Sequence, residues 1–159
     1  MALIAFLVHA CVAVGAGGTD GAHARPNPAR DRLHKMDWFF ALDKYSSLER
    51  FDKMSLEDQL LVAQRAFFLR HPPDSQWLRR IAIPRGDDFI MYLVDRLAAS
   101  RDDSAIQMEL ITLSRTLELL PDHYLTAKQY AKCAEAAKRV AERTVDVKTP
   151  LYLLQARTK

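Results

Sequence analysis

Apolar side chains return every three or four residues through most of this chain, and that period restricts it to helices. Ile90, Leu93, Val94 and Leu97 stand at i, i+3, i+4 and i+7, one face of a helix. Ile106, Leu110, Leu113, Leu117 and Leu120 alternate steps of four and three, a second seam. Leu56, Leu60, Ala63 and Phe67 make a third, widened by Leu61 and Phe68. No stretch sustains the alternation of a half-buried strand. Glycine usage agrees. Of 5 glycines in 159 residues, Gly15, Gly17, Gly18 and Gly21 fall near the start, leaving Gly86 for the rest. A large all-β domain needs more turn glycines than that.

The expected fold class is all-α: stacked antiparallel helical hairpins, as a HEAT-like α-solenoid or an irregular helical bundle. The spacing predicts helices over about 37–48, 55–70, 75–82, 87–99, 104–120, 126–145 and 149–156, with ends uncertain by about two to four residues. Boundary residues support these limits. "SLED" from Ser55 is a capping box with Ser55 as N-cap and Asp58 reaching back. Pro72 and Pro73 stop that helix, since proline has no amide proton and restricts its predecessor. Asp74 or Ser75 caps the next. Asp87–Asp88 and Asp102–Asp103 fall where helices begin, and there carboxylates bind free amides and complement the helix dipole. Thr149–Pro150 reads as N-cap and first residue of the last helix. In the long helix near the end, Ala127, Tyr130, Ala131, Ala134, Ala137 and Ala141 predict a close-packing face of small side chains.

The first 36 residues read differently. Ala2 to Ala16 is an apolar run broken by His9, and "AHA" at Ala22–Ala24 fits a small-x-small cleavage site. The segment resembles a secretory signal peptide, with Arg25 as first mature residue. No basic residue precedes the run, and it is too short for a membrane span. Export to the periplasm or the extracellular space is the expectation. A start at Met36 would make the protein cytoplasmic, and "VHAC" loosely resembles a lipobox on Cys11. Residues 25–36 read as a flexible lead-in. The domains expected are therefore 1–24, a signal peptide; 25–36, the lead-in; and 37–159, one helical domain.

"DDFIMYLVDRLAASRDDSAIQMELITLSRTLELL", Asp87 to Leu120, resembles a HEAT or armadillo-type hairpin, and Ser55 to Ala82 an irregular copy upstream. The resemblance covers about half the chain. It implies a stack of hairpins that presents a surface to a protein or peptide partner and carries no catalysis.

Chemistry-bearing motifs are few. His34, His71 and His123 are too far apart in sequence to pair on a helix, so no metal is expected. No glycine-rich phosphate loop or serine elbow occurs, and no cofactor is expected. Cys133 reads as a small core hydrophobe. The net charge of +3 is mild and the basic residues are dispersed, so nucleic acid is not an expected partner. The best local candidate is "FFLRHPPDSQWLRRIAIPRG", Phe67 to Gly86. Trp77, Arg79, Arg80 and Arg85 are the candidate binding residues there, since Trp and Arg anchor many interfaces. The competing reading makes Trp77 core and the arginines solvated. An alternative function is a small cell-envelope enzyme using carboxylate or His residues assembled by folding. Its mark would be a deep polar cleft holding His71 or His123 beside a carboxylate.

Overall fold

A computed structural model describes residues 28–69 and 74–142. The apolar segment 2–16, the His71–Pro73 corner and the helix expected at 149–156 lie outside the described residues. Among the described residues seven α-helices and one 3-10 turn follow in order: α1 (Pro28–His34), the turn (Asp37–Ala41), α2 (Lys44–Asp52), α3 (Leu56–Leu69), α4 (Gln76–Arg85), α5 (Asp87–Ala99), α6 (Asp103–Leu119) and α7 (Ala127–Ala141). No strand occurs among the described residues. The protein is all-α, as the apolar period requires.

Capping residues set the helix starts. Ser55 Oγ accepts from the Asp58 amide at 3.2 Å, capping α3, and donates to Asp58 Oδ2 at 2.8 Å. The Asp102 carboxylate accepts from the Ala105 amide at 3.0 Å. Thr126 and Gln129 cap α7 reciprocally. Between α4 and α5 the chain turns on Gly86 alone, whose φ of 50° lies in the left-handed region that glycine enters without steric cost.

From α3 onward consecutive helices pack as neighbours. α3 lies on α4 and α5 on α6, α4 touches both α5 and α6, and α7 covers α5 and α6. The seams meet in one core: Leu60, Leu78, Ile81, Leu93, Leu97, Ile106, Leu110 and Leu113 are fully buried.

Three expectations are corrected. The lead-in at 25–36 is helical from Pro28, and Leu33 and Met36 are buried on the core; two large apolar side chains suffice to dock so short a segment. The helix expected over 37–48 is a 3-10 turn followed by α2, because the Asp43 carboxylate accepts from the Tyr45 and Ser46 amides and starts a new helix. The buried face of α7 is Cys133, Ala136, Ala137 and Val140, while Ala127, Ala131 and Ala141 are exposed. Alanine is nearly indifferent to burial, so the larger Cys and Val set the rotation.

Candidate functional site

Trp77 enters from the first turn of α4 and is 6% exposed. Its ring meets Phe39 edge-on at 5.0 Å and Phe51 at 4.8 Å, and Phe39 lies 6.2 Å from Phe51. These T-shaped and tilted contacts suit the ring quadrupoles. The cluster joins the 3-10 turn, α2 and α4. Of the two readings offered by the sequence, the core one describes Trp77.

The arginines beside it face outward. Arg80 Nη2 bonds both oxygens of Asp52, at 3.0 and 2.9 Å, and ties α4 to α2. Arg85 reaches the Ile81 carbonyl and Gln59 Oε1, each at 3.4 Å. Arg79 is exposed. The four candidates therefore do not form one outward patch; the helix turns Trp77 inward and the arginines away from it.

One edge of the aromatic cluster remains open. A groove of about 550 Å³ runs between the 3-10 turn, α2, the end of α3 and the start of α4. Phe39, Phe40, Leu48, Ala66 and Trp77 form apolar walls, with Lys44, Ser47, Asp74 and Gln76 between them. Leu42 and Leu69 line it while staying 37% and 42% exposed. Asp74 is engaged in capping, its Oδ1 accepting from the Gln76 amide at 3.0 Å. The volume lies within the range of about 300–1,000 Å³ typical of binding clefts. Leu42, Leu69 and Lys44 escaped the sequence reading because they lie at helix ends, outside any periodic seam.

A second polar centre lies beneath α1. Glu109 of α6 is 4% exposed, and its Oε1 accepts from Arg96 Nε of α5 at 2.9 Å. Gln64 of α3, 3% exposed, donates to Thr112 Oγ1 at 3.1 Å and weakly to Glu109 Oε2 at 3.4 Å. Burial pushes the Glu109 carboxyl above the usual carboxylate range, outweighing the opposing pull of Arg96. That carboxylate in turn holds Arg96 firmly charged against its own burial. A small cavity of about 160 Å³ adjoins the pair, lined by Arg32 and Leu33, Leu61 and Gln64, and Asp102, Ala105, Met108 and Glu109. A signal for this centre stood in the sequence. Glu109 follows Ile106 by three and Gln64 follows Leu60 by four, polar residues placed on apolar seams.

His123 Nδ1 lies 2.5 Å from Asp87 Oδ1, joining the loop before α7 to the first turn of α5. Asp87 is 78% and His123 33% exposed in its side chain, so the pair is a surface staple. His71 lies outside the described residues. Cys133 is fully buried and its thiol is pushed up to about 11, chiefly by burial. Among the described residues no group of three His, Cys, Asp or Glu side chains could hold a metal. No described helix is long and apolar enough to cross a membrane. No family model, no curated protein and no solved structure matches this chain.

Proposed function

We propose that this protein is a non-catalytic interaction module of HEAT-like hairpins, and that the groove beside Trp77 takes a short apolar segment of a partner protein. The observation carrying this reading is the groove itself. Its apolar walls end at two leucines, Leu42 and Leu69, left partly in water. An isolated monomer gains nothing from that exposure, and burying both on a partner is favourable at about 25 cal/mol per Å². Lys44 adds a positive charge to the wall, so the segment carries a large apolar anchor with a carboxylate beside it. The adjacency of the α3–α4 and α5–α6 pairs, with α4 against α6, supports the hairpin stack.

The test is selection of a random displayed peptide library on the folded protein, counter-screened against Leu42→Asp and Leu69→Asp. Enriched peptides with an aromatic or leucine anchor next to Asp or Glu, binding the parent and neither variant, are expected. Peptides that bind all three alike, or a failure to enrich any, would overturn the reading.

Export belongs to the same proposal and rests on residues 1–24 as sequence. The burial of Leu33 ahead of Met36 favours a mature chain that contains α1. Intact mass from the native host distinguishes a start at Arg25 from one at Met36 or at a lipidated Cys11.

A further inference from the structure

The exposed apolar side chains are unevenly placed. Among the described residues eight large ones stay exposed, and five of these are Trp38, Leu42, Tyr45, Phe68 and Leu69. They stand on or beside the 3-10 turn, the start of α2 and the end of α3, which are elements that wall the groove. Apolar surface gathered in this way marks an interaction site.

Tyr45 is the most exposed of the five at 81%, on the first turn of α2 beside groove-lining Lys44. Asp43 caps the same turn, its Oδ1 accepting from the Tyr45 amide at 2.9 Å. Bonds from the Ser46 hydroxyl and amide, and then from the Tyr45 amide, hold the Asp43 carboxyl below the usual carboxylate range. The groove and Lys44 suit a large apolar anchor with a carboxylate beside it. The rim of this same chain presents that pair in Tyr45 and Asp43.

We infer that the partner is a second copy of this chain: across a two-fold axis Tyr45 of each copy enters the groove of the other, and Asp43 of each faces Lys44 of the other. The inference rests on the groove reading above and gives the groove an occupant. A two-fold interface sets one patch against itself, so every contact is made twice. Adjacent residues of opposite charge suit that symmetry, because each can meet its opposite across the axis. The available area is also of the right size. Rings of about 150–250 Å², at exposed fractions of 45%, 81% and 55% for Trp38, Tyr45 and Phe68, keep about 270–450 Å² in water. A standard interface buries about 800 Å² on each side, a little over half of it apolar. Charge argues against a lipid surface as the occupant. From Lys35 to Lys53 the chain carries four basic and four acidic residues, whereas anionic membranes draw cationic clusters.

Analytical ultracentrifugation tests the inference. The parent should sediment as a dimer at about 10 μM, because interfaces of standard size hold at micromolar concentrations or below. Tyr45→Ser and Lys44→Glu should each raise the dissociation constant about a hundredfold, about tenfold for each of the two symmetric sites. Both side chains are exposed, so circular dichroism should show both variants folded. Selecting the displayed peptide library on Tyr45→Ser reads the groove without a second copy in it. Peptides that bind this variant while the parent sediments as a monomer would keep the groove and overturn the second copy. A library that yields nothing on Tyr45→Ser would strike the groove itself, and the inference with it. A dimer that survives both substitutions uses another face and refutes the inference, as does a monomeric parent that pellets with vesicles of anionic lipid.

Discussion

Replacing Trp77 by Ala removes the centre of the cluster that joins the 3-10 turn, α2 and α4. A buried indole takes about 150–250 Å² from water, which at about 25 cal/mol per Å² amounts to about 4–6 kcal/mol. Trp→Ala changes in protein cores cost about 3–5 kcal/mol once neighbours relax. Here relaxation is limited, because Phe39 and Phe51 are each 1% exposed and already packed against each other. The expected loss is about 4 kcal/mol, a large share of the roughly 5–15 kcal/mol typical of a whole domain. Urea unfolding followed by far-ultraviolet circular dichroism measures it. Trp77→Phe keeps one ring in place and should lose less than half as much. A double-mutant cycle with Phe51→Leu should show a coupling of about 0.5–1.5 kcal/mol. A loss under about 1 kcal/mol for Trp77→Ala, or zero coupling to Phe51, would refute the claim that this indole is core. Because the variant attacks folding, it is unsuited to testing the groove, for which the exposed leucines serve.

Arg96→Met should cost about 3–5 kcal/mol near neutrality, since it leaves Glu109 buried without its partner, whereas Glu109→Gln should cost less, because Arg96 is 20% exposed and keeps Glu57 at 3.7 Å. The Glu109 carboxyl lies above its unfolded value, so the stability tied to its proton is complete at low pH and is lost as pH rises through the folded value. The Arg96→Met deficit should therefore shrink on acidification; a deficit that grows would count against it. A disulfide reagent at about pH 8 should modify native Cys133 no faster than the protein unfolds, because the thiolate is the attacking form. The unfolded thiol ionises first, so stability should also fall as pH rises from 9.0 toward about 11, and Cys133→Ala should flatten that fall. Rapid native labelling, resolved from Cys11 by mass spectrometry, would contradict the burial. Among the described residues Ser114 Oγ is the buried side-chain oxygen or nitrogen without a hydrogen-bond partner, so Ser114→Ala should stabilise by about 1 kcal/mol in thermal and urea unfolding. A loss instead would reveal a bond to that hydroxyl.

What the chain determined locally is its helical nature and where most helices begin and end. The apolar period marks α3, α5 and α6, and Ser55 and Asp102 cap helices where their side chains reach the next amides. Such signals operate within a few residues and need no tertiary partner. Tertiary structure alone decided the rest. Pro28–His34 has a weak pattern of its own and becomes a helix by docking Leu33. The face that α7 buries depends on which residues α5 and α6 present to it. Trp77 could have pointed to water or to Phe39 and Phe51, and only packing chose. The groove and the Glu109 cavity bring together residues from separate helices: Leu42 and Leu69 in one, Arg32, Gln64 and Glu109 in the other. Helix formation is read along the chain at a spacing of three or four, whereas a site is made by residues tens of positions apart, and that proximity exists only once the helices have packed.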